Sequence, residues 1–220
     1  FSCSHTKQSS IHNITKFVKK SFAGPLLEKE INAINLVVQN KKEPVTCIIG
    51  GSKISTKINV ITNLIQKVNN LIIVGAMANN FFIYKNLKVG KSLIEENTKE
   101  IIKIIYEKAN KNKCKILIPE DCRVGSSFNS NGINKDLNTI EDNDIILDIG
   151  PKTIESIKKT INQSNTVLWN GPAGYFENEN FMSGTMSIAE TISKNTVEKS
   201  LISILGGGAV SYTHLRAHET

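Results

Sequence analysis

The chain has 220 residues, 40% of them hydrophobic, which is enough apolar material for one well-buried domain with a piece of another. No apolar run approaches the roughly 20 residues of a membrane span, and the opening FSCSHTKQSS lacks the charged and apolar regions of a signal peptide, so a cytoplasmic protein without a membrane partner is expected. The net charge of +7 comes almost wholly from Lys spread along polar helix faces, with Arg only at Arg123 and Arg216, which describes a solvated surface and not a nucleic-acid interface.

In chain order, the first strong element is GPLLEKEINAINLVVQN, a helix with Pro25 at its start, Glu28 and Glu30 in its first turns, and an apolar stripe of Leu27, Ile31, Ile34 and Val38. A helix ahead of an α/β unit often joins it to a neighbour. Residues 24–40 are therefore expected to be an interdomain helix, and 1–23 the remnant of a preceding α/β domain, cut from something longer since the first residue is Phe.

VTCIIGG (45–51) is expected to be a strand leading into the helix KISTKINVITNLIQKV, whose apolar face is Ile54, Ile58, Ile61, Leu64, Ile65 and Val68. LIIVGA (71–76) leads to the helix MANNFFIYKN. NTKEIIKIIYEKA is a further helix, opened by a capping box from Asn97 to Glu100. KILIPED (115–121) is a strand followed by a long polar loop. IILDIGP (145–151) is a strand feeding KTIESIKKTI, with Pro151 at the first helical position. TVLWNGP (166–172) leads through a loop to the helix GTMSIAETISK, and SLISILGGG (200–208) is the last strand.

Continuous apolar strands alternating with helices specify an α/β fold: a three-layer, doubly wound, Rossmann-like parallel sheet of about six strands. Ligands of such sheets bind outside the carboxyl ends of the strands, and here those ends carry Gly or Pro. Cys3, Cys47, Cys114 and Cys122 form no metal spacing and read as structural thiols. His5, His12, His214 and His218 show no pattern for a metal or a triad.

Three strand ends could carry chemistry. GGSKISTK sets Lys53 and Lys57 four residues apart at a helix start, where ammonium groups and backbone N–H groups suit a phosphate chain; the alternative is a plain turn before a solvated helix. It lacks the Walker A spacing. LWNGPAGYFE combines a tight turn at Asn170, Gly171 and Pro172 with aromatic residues and Glu177, a carboxylate able to accept from ribose hydroxyls; the alternative is three core aromatics and a surface acid. VGAMANNFF leaves small residues, Gly75 and Ala76, as a wall for a flat base or as mere close packing.

Taken in order, AGPLLEKEI (23–31), GGSKISTKI (50–58), VGAMANNF (74–81), VGKSLIEE (89–96), LDIGPKT (147–153), WNGPAGYFE (169–177) and LGGG (205–208) resemble the phosphoglycerate kinase family in its C-terminal, nucleotide-binding domain. The resemblance implies reversible phosphoryl transfer from 1,3-bisphosphoglycerate to ADP, giving 3-phosphoglycerate and ATP, with Mg²⁺, in a two-domain enzyme that closes by a hinge. A monomer is expected. By motif, 41–208 would be the nucleotide-binding domain. Lys53 resembles the lysine that follows the transferring group, and Lys57 the one that holds nucleotide phosphates. Gly51, Gly75 and Ala76 would line the nucleotide cleft, Asn170, Gly171 and Pro172 would shape the wall beside the phosphates, and Glu177 resembles the ribose-binding acid. Gly206, Gly207 and Gly208 would bring backbone amides to the phosphates, the last two at the reacting end. Positioning and positive charge are what a loose, charge-spread transition state requires.

Two departures stand out. Thr6 takes the place of an arginine that clamps the triose phosphate, with Lys7 beside it, and Ala209 and Val210 replace the Asp of the metal and the Thr of the phosphates. No metal ligand is therefore assigned. VSYTHLRAHET has no Ile, Asn or Lys, unlike the preceding chain, so 209–220 is read as a foreign tail. Beside the kinase reading stands a catalytically inert nucleotide-binding fragment. A dinucleotide oxidoreductase is disfavoured by the missing Gly-x-Gly-x-x-Gly, and a nucleic-acid binder would betray itself by a steep salt dependence.

Overall fold

The computed structural model describes residues 7–39 and 42–207, with only the backbone described at 33, 34 and 36–39. Cys3, His5, Thr6, Gly208, Ala209, Val210 and the proposed tail lie outside the described residues. The chain divides into two units, Phe1–Lys41 and Lys42–Thr220. In the first, a turn at Ser9–Asn13 and another at Ile14–Lys16 precede α1 (Pro25–Gln39), where Pro25 heads the helix and Glu28 lies in its first turn.

The second unit carries the sheet. Its strands are β1 (Val45–Ile49), β2 (Asn70–Ile73), β3 (Lys115–Leu117), β7 (Thr166–Asn170) and β8 (Ile202–Gly206), in the order β3-β2-β1-β7-β8, all parallel. Side chains of a strand alternate between faces, and the two layers of core divide them accordingly. Val45, Cys47, Ile49, Leu71 and Ile73 enter one core with Ile61 of α2 (Ile58–Leu64), Phe81 and Phe82 of α3 (Ala78–Tyr84), and Ile102 and Ile105 of α4 (Lys99–Lys111). Ile48, Ile72, Val167 and Trp169 enter the other with Ile157 and Ile161 of α5 (Pro151–Asn162) and Ile188 and Ile192 of α6 (Ser183–Lys199). Burial on both faces is why β1 reads as an unbroken apolar run, VTCII.

Three expectations are corrected. The parallel sheet has five strands among the described residues, because IILDI, β6 (Ile145–Ile149), belongs to a separate antiparallel sheet ordered β5-β4-β6. The stretch after Lys115–Leu117, expected to be a loop, supplies the other two strands, β4 (Asp121–Gly125) and β5 (Ile133–Asp136). The cause is Asp121: its carboxylate accepts from Lys152 N at 2.9 Å and Thr153 N at 2.8 Å, and its carbonyl from Gly150 N at 3.0 Å. These bonds cap the α5 N-terminus and pin β4 beside the end of β6. The capping box at Asn97 does not form. Asn97 has a left-handed backbone, φ 58°, and Thr98 stands at the helix boundary without a side-chain capping bond, its hydroxyl donating to Glu95 O at 3.4 Å instead.

No helix among the described residues is long and apolar enough to cross a membrane.

Candidate functional site

The carboxyl ends of β1, β2 and β7 meet backbone to backbone. A Cβ at Gly50 would stand 2.0 Å from Pro172 O, and one at Gly171, whose φ is 84°, would stand 2.7 Å from Gly50 O. Gly75, with φ 69°, closes the third side, its amide donating to Ala173 O at 3.1 Å. Side chains are excluded from this junction, which leaves small surfaces open above it.

Beside the junction opens a cleft of about 500 Å³. Of the residues singled out from sequence, Gly51, Gly75, Ala76, Pro172 and Glu177 line it. Tyr175 and Phe176 also line it, Tyr175 meeting Phe128 edge to face at 5.1 Å, whereas Trp169 is core, fully buried with its indole N–H on Gly171 O at 2.7 Å. A second stretch of wall, unmarked in the sequence, comes from Ile145, Ile146 and Leu147 of β6, with Lys91 and Leu93. Tyr175 N ties the two walls by donating to Leu147 O at 2.6 Å. The signal available for Lys91 and Leu93 was VGKSLIEE, a matching motif without an assigned role.

Lys57, Asn170, Gly206 and Gly207 come together at the carboxyl end of the sheet and do not line the cleft. Lys57, half-buried, donates to Gly50 O at 2.8 Å and to Asn170 Oδ1 at 3.0 Å. Burial lowers its pKa from the usual lysine value. Both acceptors are neutral, and no carboxylate pairs with Lys57 among the described residues. Asn170 stands opposite Gly206 in the β7–β8 ladder, and a Cβ on Gly207 would lie 3.2 Å from its Nδ2. Lys53 is exposed, one residue after cleft-lining Ser52. The amides of Ile54 and Ser55, which the sequence offered to phosphates, are engaged by Glu95, a residue the sequence did not single out.

Two groups in the cleft wall are chemically quiet. Asp148 accepts from Gly184 N and Ile149 N and from the Ser183 hydroxyl, and burial raises its pKa to about 6 despite these donors. Burial pushes the Cys122 thiol up to about 12, far from a reactive thiolate. The donor set at the carboxyl end of the sheet, Lys57, Asn170 and the glycine backbone, holds no carboxylate and so does not fit Mg²⁺ as a protein-held ion; among the described residues no cluster of three or more metal-ligating side chains occurs.

Comparison with known proteins gives a consistent answer. The family model described as phosphoglycerate kinase matches residues 1–218. The chain is 45% identical over 209 residues to a phosphoglycerate kinase of Wolbachia pipientis wMel, covering 94% of this chain and 52% of that relative. The structure of phosphoglycerate kinase from Coxiella burnetii superposes with a TM-score of 0.86 at 33% identity, covering 97% of this chain and 56% of that one. The crystal structure of the enzyme from Pyrococcus horikoshii OT3 gives 0.76 at 25% identity, covering 94% of this chain and 52% of that one. The chain thus spans about half the length of the curated relatives it matches.

Proposed function

The chain belongs to the phosphoglycerate kinase family, and from that premise we propose that it carries the nucleotide half of a site for reversible phosphoryl transfer between 1,3-bisphosphoglycerate and ADP. ADP or ATP occupies the cleft, its base against Gly75 and Ala76 and its ribose within reach of Glu177. The phosphates run toward Lys57 and the glycines that end β8. The chain spans about half the length of its curated relatives, and the triose phosphate is held mainly by the half it does not match, with α1 as the connecting helix.

The observation that carries this reading is Lys57. A half-buried ammonium held, among the described residues, only by a carbonyl and an amide oxygen is an uncompensated charge there beside a glycine-lined cleft, and an anion is its natural complement.

In the reaction, an oxygen of the ADP β-phosphate attacks the phosphorus of the acyl phosphate. The phosphorus–oxygen bond to C1 breaks, and its electron pair leaves with the C1 carboxylate. No proton moves, so no protein base is required. This chain supplies positive charge: Lys57 to the resting phosphates, and Lys53, exposed beside Ser52, to the group in flight.

Calorimetric titration of the chain with ADP and with ATP tests the proposal. Binding is expected with either, and a coupled assay on the same chain is expected to register no transfer, since the second substrate lacks its pocket. Absence of binding into the millimolar range would overturn the nucleotide reading, and measurable turnover would overturn the half-site reading.

A further inference from the structure

Residues 91–95 form a strap that joins the cleft wall to the turn bearing Lys53. At its first end Lys91 N donates to Asp144 O at 2.8 Å, and the Ser92 hydroxyl accepts from Ile146 N at 2.8 Å, which fixes the strap to the β6 wall. In its middle the Asn79 side chain of α3 donates to Leu93 O at 2.9 Å. Next, Glu95 N donates to Asn80 Oδ1 at 2.9 Å. Two adjacent asparagines of one helix thus hold the strap's backbone in place.

At its far end the strap delivers Glu95. One carboxylate oxygen accepts from Ile54 N at 2.9 Å and Ser55 N at 3.1 Å, and the other accepts from the Ser55 hydroxyl. These donors follow directly after Lys53 in the chain. The Ser55 hydroxyl above all, then the two amides and the neighbouring Lys53 charge, hold the Glu95 carboxyl below the usual carboxylate range. A charge so engaged fixes the backbone that follows Lys53 and so limits the directions from which its side chain can depart. Without the carboxylate, the two amides and the hydroxyl would turn to solvent and the turn would lose its long-range anchor.

We propose that Glu95 is a positioning residue for phosphate recognition: through Ile54 and Ser55 it sets the turn that aims Lys53 at the nucleotide's phosphate end, and the strap links that aim to the cleft wall. The proposal rests on the nucleotide reading above. It differs from a purely structural cap, which would affect every ligand alike. It differs also from a simple charge effect, in which removing a carboxylate near phosphates would tighten their binding.

The test compares ADP with adenosine, which shares the base and ribose and lacks phosphates, by calorimetric titration of the wild-type chain, Glu95→Ala and Glu95→Gln. For E95A, ADP affinity is expected to fall about tenfold, the scale of a lost charge-assisted contact, with adenosine changed less than about twofold. E95Q, which keeps an acceptor oxygen and the side-chain size, should fall between and carries the same comparison where E95A does not fold. In a Lys53→Ala background the E95A loss of ADP affinity should disappear, since the two act through one path. Equal losses for both ligands, no loss of ADP affinity, or a gain of it would overturn the role of Glu95 alone. A wild-type chain that binds neither ligand overturns the nucleotide reading, and this role with it.

Discussion

Lys57 Nζ donates to Asn170 Oδ1 at 3.0 Å, joining residues 113 positions apart across the ends of β1 and β7. The ammonium has no acceptor lone pair, so it must face the oxygen of the amide, and this fixes Nδ2 toward Gly206 and Gly207. One lysine therefore orients a donor at the next strand end.

Lys57→Ala is expected to weaken ADP and ATP by about 10- to 100-fold, the range for one or two hydrogen bonds to a charged group. Calorimetry on the variant, alongside a melting curve showing that the fold survives, checks this. Unchanged affinity would remove Lys57 from the phosphate site.

Gly50→Ala should destabilise the fold severely, by about 3 kcal/mol or more, because the new methyl would meet backbone and not a movable side chain. Its Cβ would stand 2.0 Å from Pro172 O and 2.8 Å from Gly171 O. Urea denaturation of the two proteins decides; a loss below about 1 kcal/mol would mean that the junction yields more easily than a packed backbone should.

Asp148 predicts a pH dependence. Burial raises its folded pKa to about 6, above its unfolded value, so its contribution to stability is fully present below about pH 4 and is lost as pH rises through about 6. Relative to Asp148→Asn, the wild type should lose about 2 kcal/mol of stability between about pH 4.5 and about pH 7. Denaturant titrations at both pH values give this difference directly. Parallel pH profiles in the two proteins would show that the buried carboxyl does not titrate as described.

Cys47, Cys114 and Cys122 are buried, and desolvation first of all pushes their thiols up to about 12, 11 and 12. A thiol reagent at about pH 8 should therefore modify one cysteine at most in the native chain and all four after denaturation. Rapid reaction at a second native thiol would contradict the burial of these side chains.

What the sequence revealed and what it hid have separable causes. The junction was legible because backbone contact demands glycine, and glycine leaves a mark at Gly50, Gly75 and Gly171. Strands β1, β2 and β7 were legible because burial on both faces makes them apolar throughout or nearly so, and β8, half-buried at the edge of the sheet, because its apolar run ends in glycines. The β4–β5 hairpin was not, since DCRVG and INKD hold their places partly through charge pairs such as Lys152–Asp136 at 2.6 Å and Lys135–Asp144 at 2.8 Å. Polar staples leave no hydrophobic period. Glu95 was hidden for another reason: its partners Ile54 and Ser55 lie 41 and 40 residues away, and nothing local distinguishes it from Glu96.

The indole of Trp169, the chain's sole tryptophan, is sealed from water and bonded to the carbonyl of Gly171. The protein thus carries its own optical probe at the strand junction, with no second emitter to confuse the signal. Excited near 295 nm, it should emit like an indole in an apolar medium, and any ligand that tugs on the Gly171 turn writes itself into the colour or intensity of that light.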